Sequence, residues 1–188
     1  QVTVMTTQYD KSLPREETQD GVRIIRVPVA IRISKGGLAP TFGWVATKLV
    51  AQHDVVQLHL PQFDAPGVAF RARLFGKPAI LTYHCDLDLP PGLFNRLVNA
   101  VVHFQNNMAG ILSNHIVTYT QDYADHSPYL SRFRDKLTPI LPPVELPTPP
   151  AGAVEAFARA HETATRRPVI GMATRFASEK GVEILLEA

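Results

Sequence analysis

The chain has 188 residues, which is long for one domain and short for two, and its 45% hydrophobic and 19% charged residues are those of a soluble globular protein able to bury a large core. A net charge of +2 is too mild to argue for a nucleic-acid partner. The lone Cys85 excludes an internal disulfide and fits a reducing compartment, and no apolar run approaches the ~18 residues needed to span a bilayer.

In chain order, residues 2–7 (VTVMTT) predict a strand and residues 22–29 (VRIIRVPV) a second, with the polar, turn-rich residues 9–20 as a loop between them. The chain opens in mid-strand without Met, so its natural start is expected further upstream. Arg23, Arg26 and Arg32 alternate with Ile and Val, as on a strand with one wet face; the other reading is a basic patch for anionic lipid or phosphate. Residues 34–40 (SKGGLAP) predict a loop, and its Gly pair lacks the lysine and spacing of a phosphate loop. A helix follows over about residues 41–52. Residues 54–86 then read as strand, helix, strand: DVVQLHL, a helix opened by Asp64 and Pro66 and closed at Gly76, and PAILTY. Continuous apolar strands belong to parallel sheets, whose right-handed crossovers put both strand ends on one edge. His59 and His84 therefore face one crevice, where ligands of open α/β sheets bind.

Pro90 and Pro91 punctuate the chain before a long helix over residues 93–112. Its stripe Leu93, Leu97, Val101, Met108 and Ile111 is expected to be the core face, and Asn95, Arg96, Asn99, His103, Asn106 and Asn107 the wet face. Membrane contact by the stripe is the alternative. Residues 115–120 (HIVTYT) predict another buried strand, with Tyr119 and Thr120 at the same crevice, and residues 121–134 contain a short helix. Residues 136–141 (KLTPIL) predict an edge strand, because Pro139 cannot donate to a ladder. The proline-rich residues 142–150 read as a semi-rigid linker. Residues 151–188 read as the start of a second α/β domain, with a helix over about 154–163, a strand at 168–172, a turn and a final helix VEILLEA.

The closing stretch PVIGMATRFASEKGVEILLEA resembles the opening of the C-terminal domain of family 4 (group 1) glycosyltransferases, in which a strand runs into a G-R-[LF]-x-x-x-K-G turn and a helix. Upstream, D-V-V-x-x-H, T-x-H-x-D, a strand like IVTYT after a long helix and a proline-rich crossing come in that family's order. The resemblance implies the GT-B architecture of paired Rossmann-like domains: residues 1–141 as an acceptor-side Rossmann-like domain with its first strand missing, and residues 151–188 as the truncated beginning of a nucleotide-sugar-binding domain. It further implies a retaining transferase that moves a sugar from a nucleotide-sugar to an unknown sugar or lipid-linked acceptor, without a catalytic metal or other cofactor.

On the same resemblance Arg175 and Lys180 hold the donor diphosphate, a role suited to cations at a helix start. Thr174 stands where the family has Gly. His84 sits beside the transferred sugar, and His59, Gln62, Asp86 and Thr120 line the acceptor side. Asp64 is read as a helix cap. Asp86-Leu87-Asp88 mimics a D-x-D metal motif that belongs to another glycosyltransferase architecture. Pro142-Pro143-Val144 replaces the commoner P-N-G-V, and the E-x7-E segment lies beyond Ala188. The 188-residue chain alone is therefore expected to be inactive, with the full-length protein cytoplasmic, at the inner membrane face if it touches lipid. A nucleotide-sugar epimerase of the same architecture, or a non-catalytic sugar- or nucleotide-binding module, fits the same pattern.

Overall fold

The β-branched run Thr3–Gln8 forms strand β1 and lies parallel to Val22–Pro28 (β3), with Glu16–Gln19 (β2) antiparallel on the far side, so the sheet order is β1-β3-β2. This is a computed structural model that describes residues 1–33, 36–87, 89, 91–163, 165, 168–176 and 180–187. The chain divides into two compact units, Gln1–Pro142 and Pro143–Ala188.

Strand β2 occupies part of the expected loop. Asp20 and Gly21 both take positive φ (52° and 79°), the turn that closes a two-residue hairpin. Cross-strand pairing then holds β2: Arg23 Nε donates to Glu16 Oε1 at 2.7 Å, and Arg26 pairs with Glu17. Those two arginines are thus neutralised by their own sheet rather than gathered in a basic patch. Arg32 instead lines a cavity of about 270 Å³ with Lys11 and Arg15. Ile31–Ile33 (β4) and Gly36–Leu38 (β5) pair antiparallel, β5 falling within the loop expected over residues 34–40. Ser34 and the lysine after it lie outside the described residues.

Helix α1, Phe42–Gln52, buries Phe42, Ala46 and Val50 at four-residue spacing. The strand-helix-strand unit follows as expected, with Val56–Leu60 (β6), Ala65–Leu74 (α2) and Ala79–Tyr83 (β7). Asp64 stands at the N-cap of α2 but makes no side-chain cap bond, and burial raises its carboxyl pKa against the pull of Arg71. The Arg71 guanidinium joins α2 to α1, donating to Thr47 Oγ1 at 2.8 Å and to Gly67 O at 2.7 Å. Helix α3, Leu93–Leu112, leads to His115–Thr118 (β8); Gln121–His126 (α4) and a 3₁₀ segment, Leu130–Lys136, lead to Leu137–Pro139 (β9). The four strands are parallel in the order β6-β7-β8-β9, with Pro139 on the edge strand. Leu58, Leu60, Leu81 and Ile116 fill the sheet's buried layer, each worth about 1.5–3 kcal/mol. Ala65, Ala69 and Ala72, fully buried, belong to the same core.

Helix α3 departs from the expected faces in part: Arg96 and His103 are exposed as expected and Met108 is half-buried. Leu93, Leu97, Val101 and Ile111 are exposed, whereas Asn106, Ala109 and Gly110 are buried. The reason is steric. Tyr129 and Phe133 of the following segment occupy the space beneath α3, and Tyr129 Oη donates to Asn106 O at 2.9 Å. A Cβ on Gly110 would lie 2.6 Å from the Phe133 ring and from the Tyr129 hydroxyl, so no side chain fits there without displacing them. Lys136 closes the helix by donating to Ser113 O at 2.7 Å and to Gly110 O. Partial burial, and then Arg73, lower the pKa of this ammonium.

In the second unit Ala153–Ala160 (α5) and Val182–Glu187 (α6) are helical. The strand expected at residues 168–172 is not formed among the described residues. A parallel strand needs ladder partners, and no strand is described elsewhere in Pro143–Ala188 to supply one. Among the described residues no helix is long and apolar enough to cross a membrane.

Replacing Gly110 by Ala, normally favourable in a helix, is expected to lower stability by about 1–3 kcal/mol through overpacking against Tyr129 and Phe133. A reduced urea midpoint at unchanged slope is the readout. A stabilised variant would mean that the rings do not sit under α3.

Candidate functional site

Strand register assembles the side chains at the carboxyl edge of the parallel sheet. His59 on β6 pairs with Thr82 on β7, and Thr82 with Val117 on β8. His84 and Tyr119 lie two residues beyond Thr82 and Val117, hence on the same face and one pleat further along. The His84 amide extends the ladder by donating to Leu60 O at 3.0 Å. His59 Nδ1 then lies 2.8 Å from His84 Nε2, and His84 Nδ1 hydrogen-bonds the Tyr119 hydroxyl.

A bond between two imidazoles requires that one of the facing nitrogens carry no proton, so the pair holds at most one positive charge while the bond lasts. The Tyr119 hydroxyl can donate or accept, which leaves the chain free to reverse direction. Partial burial, and then repulsion from His59, keep the pKa of His84 below the usual imidazole value. His84 is therefore neutral at pH 7, and a neutral imidazole can accept as well as donate a proton. Both rings remain open to solvent on one side.

Asp86, expected on the acceptor side, is exposed and already accepts hydrogen bonds from three hydroxyls. Its Oδ1 accepts from Tyr83 Oη and Ser127 Oγ, each at 3.0 Å, and its Oδ2 accepts from Tyr123 Oη at 2.8 Å. Burial first, and then hydrogen bonding to Asp86, raise the phenol pKa of Tyr83 and of Tyr123 far above the usual range. Both phenols stay protonated donors at any ordinary pH. One carboxylate thus ties the end of β7 to α4 and to the residue after it. The sequence names Asp86 but gives no sign of Tyr123 and Ser127, which reach it from about 40 positions away.

The remaining candidates separate. The Thr120 hydroxyl accepts from Tyr123 N at 3.1 Å and caps α4. Gln62 lines a small cavity of about 130 Å³ with Thr3, Met5 and His53, apart from the two imidazoles. Thr174, Arg175 and Lys180 lie in the second unit and are exposed, with residues 177–179 of their turn outside the described residues. Asp88, the second carboxylate of the D-x-D mimic, and Pro90 are outside them too. Among the described residues no three His, Cys, Asp or Glu side chains gather as metal ligands. A concavity of about 580 Å³ between β3 and α1 holds none of these groups. Polar groups converge at the strand ends rather than in that largely apolar hollow.

Residues 1–142 match the family model described as a glycosyl transferase 4-like domain. No curated protein matches the chain.

Replacing His59 by Ala should raise the titration midpoint of His84 toward the usual imidazole value, followed by the His84 ring proton in an NMR pH series. It removes a like charge and part of the cover together. The linkage has a definite sign. With its folded pKa depressed, His84 contributes stability above the usual imidazole midpoint and loses it as pH falls through that midpoint to the folded one. Asp86→Ala strands the fully buried Tyr83 hydroxyl and should lower stability by about 1–3 kcal/mol in urea unfolding. A neutral effect would place Asp86 outside the framework.

Proposed function

The chain belongs to the glycosyl transferase 4-like domain family, and on that premise we propose that it is part of a retaining transferase that moves a sugar from a nucleotide-sugar to a sugar or lipid-linked acceptor. The transferase assignment rests on the family match across residues 1–142, which is the observation that carries the reading.

In this reading residues 1–141 form the acceptor-side domain, residues 142–150 the linker, and residues 151–188 the beginning of the donor-binding domain. Arg175 and Lys180 hold the donor diphosphate and stabilise negative charge on it as the bond to the sugar breaks. Thr174 borders the diphosphate. His84 lies beside the reacting sugar, where a neutral imidazole hydrogen-bonds a hydroxyl or eases charge at an oxocarbenium-like centre. His59 orients that ring through the 2.8 Å bond and meets the acceptor. Gln62 and Thr120 lie further out on the acceptor side, and Asp86 acts by holding the strand end in place. No metal or other cofactor enters the proposed chemistry. The protein works in the cytoplasm, at the inner face of the membrane when its acceptor is lipid-linked.

Kinetics of the full-length protein with a panel of nucleotide-sugars test the assignment. His84→Ala is expected to lower kcat about a hundredfold or more, and alanine at Arg175 and Lys180 to reduce kcat/KM by at least about as much. Wild-type turnover in all three variants would remove those roles. The 188-residue chain alone is expected to turn over no nucleotide-sugar, and measurable turnover by it would contradict the proposed division of labour.

A further inference from the structure

The apolar stripe of α3 points away from the core, and nothing among the described residues of its unit covers it. Leu93 is 90% exposed, Phe94 72%, Leu97 64% and Phe104 63%, in a helix whose buried face carries Asn106, Ala109 and Gly110. At about 100° per residue, Leu93, Leu97, Val101, Phe104 and Ile111 fall on one side of the cylinder. Helix α2 packs alongside α3 and widens the surface. Phe70 of α2 and Phe104 of α3 line one open groove of about 500 Å³, and Leu74 is exposed one turn beyond Phe70. A contiguous apolar surface of this kind on a folded unit marks a contact site.

Charge selects the partner. Neither α2 nor α3 contains an acidic residue, whereas Arg73, Lys77 and Arg96 lie on or between them; Asp64, at the N-cap of α2, lines the groove beside Arg71. Arg96 and His103 are seven residues apart, hence together on one shoulder of the stripe, and both are exposed. Lys136 adds a cation at the C-terminal end of α3. A second copy docked face to face would bring these cations together, with Asp64 at the groove, already beside Arg71, as the carboxylate nearest to offset them. An anionic lipid surface offers what the face lacks, with hydrocarbon for the leucines and phenylalanines and phosphate for the basic shoulder.

We propose that the outer face of α3, widened by α2, docks on an anionic phospholipid surface, with α3 lying in the plane of the headgroups. This extends the transferase reading by naming the surface at which a lipid-linked acceptor would be met.

Co-sedimentation of the 188-residue chain with vesicles tests it, using phosphatidylcholine alone and phosphatidylcholine with phosphatidylglycerol in equal parts. The chain is expected to pellet with the mixed vesicles and to release as salt rises. Leu93→Ser/Leu97→Ser should weaken binding at least about tenfold, and Arg96→Gln about fivefold. These side chains are exposed, so the fold should persist, and unchanged far-UV circular dichroism checks that. Three outcomes overturn the proposal: no pelleting with either vesicle, equal pelleting with neutral vesicles at all salt concentrations, or a dimer in light scattering that the double serine variant dissociates. Pelleting needs neither donor nor acceptor, so its failure leaves the transferase reading standing, and absent turnover would leave the docking face intact.

Discussion

The three hydroxyl bonds onto Asp86 set the geometry of the first unit. A carboxylate at the end of β7 collects Tyr83 from its own strand and Tyr123 and Ser127 from the segment after β8. Tyr83 is wholly buried, so its hydroxyl must find an acceptor, and Asp86 is within reach. With that ring fixed, Tyr129 stacks on it at 4.3 Å between centroids, and Phe133 packs against Tyr129 at 5.2 Å. The aromatic column runs from the strand end to the underside of α3, and the small residues of α3 accommodate it.

The same knot serves the candidate site. His84 lies between Tyr83, which is held by Asp86, and Cys85, so its backbone leaves the sheet from an anchored strand end. Its ring is then located by contacts from both neighbouring strand ends, His59 and Tyr119. A side chain that must meet a substrate in one orientation gains from such pre-positioning, since the ordering is already done in the folded protein. The depressed pKa follows from the same crowding. A ring partly covered by its neighbours and facing a second imidazole is poorly placed to carry charge.

Much of this was legible in the sequence because parallel-sheet physics is local. Apolar runs bounded by turn residues gave β6, α2, β7 and β8 nearly to the residue, and the right-handed crossover rule put His59 and His84 on one edge. Two failures are instructive. Asp20-Gly21 between Glu16–Gln19 and Val22–Pro28 is a strong hairpin signal, yet the charged EETQ run has no strand character until Arg23 and Arg26 neutralise it across the ladder. On α3 the rule that apolar means inside failed for Leu93, Leu97, Val101 and Ile111. Periodicity identifies two faces but not which one meets the core, and that choice was made by Tyr129 and Phe133, about 20 residues downstream. The contacts on Asp86 were equally invisible, since they join residues about 40 positions apart with no spacing rule. The strand expected at residues 168–172 is not formed among the described residues, where no other strand of its unit is described to pair with it.

The outward apolar stripe of α3 also links the docking face to the candidate site. An amphipathic helix ordinarily gains its place by burying its apolar side. Here the inner side offers Asn106, whose buried amide has no hydrogen-bond partner among the described residues, and the apolar side stays in water. Both are unfavourable for an isolated folded unit, and both are imposed by the aromatic column that Asp86 anchors. Enlarging the inner residues to bury more apolar area would displace Tyr129 and Phe133, and with them the packing behind Tyr83 and His84. The outward stripe is therefore bound to the architecture that positions the imidazoles, and it lowers the free energy of the protein only where an apolar phase meets it.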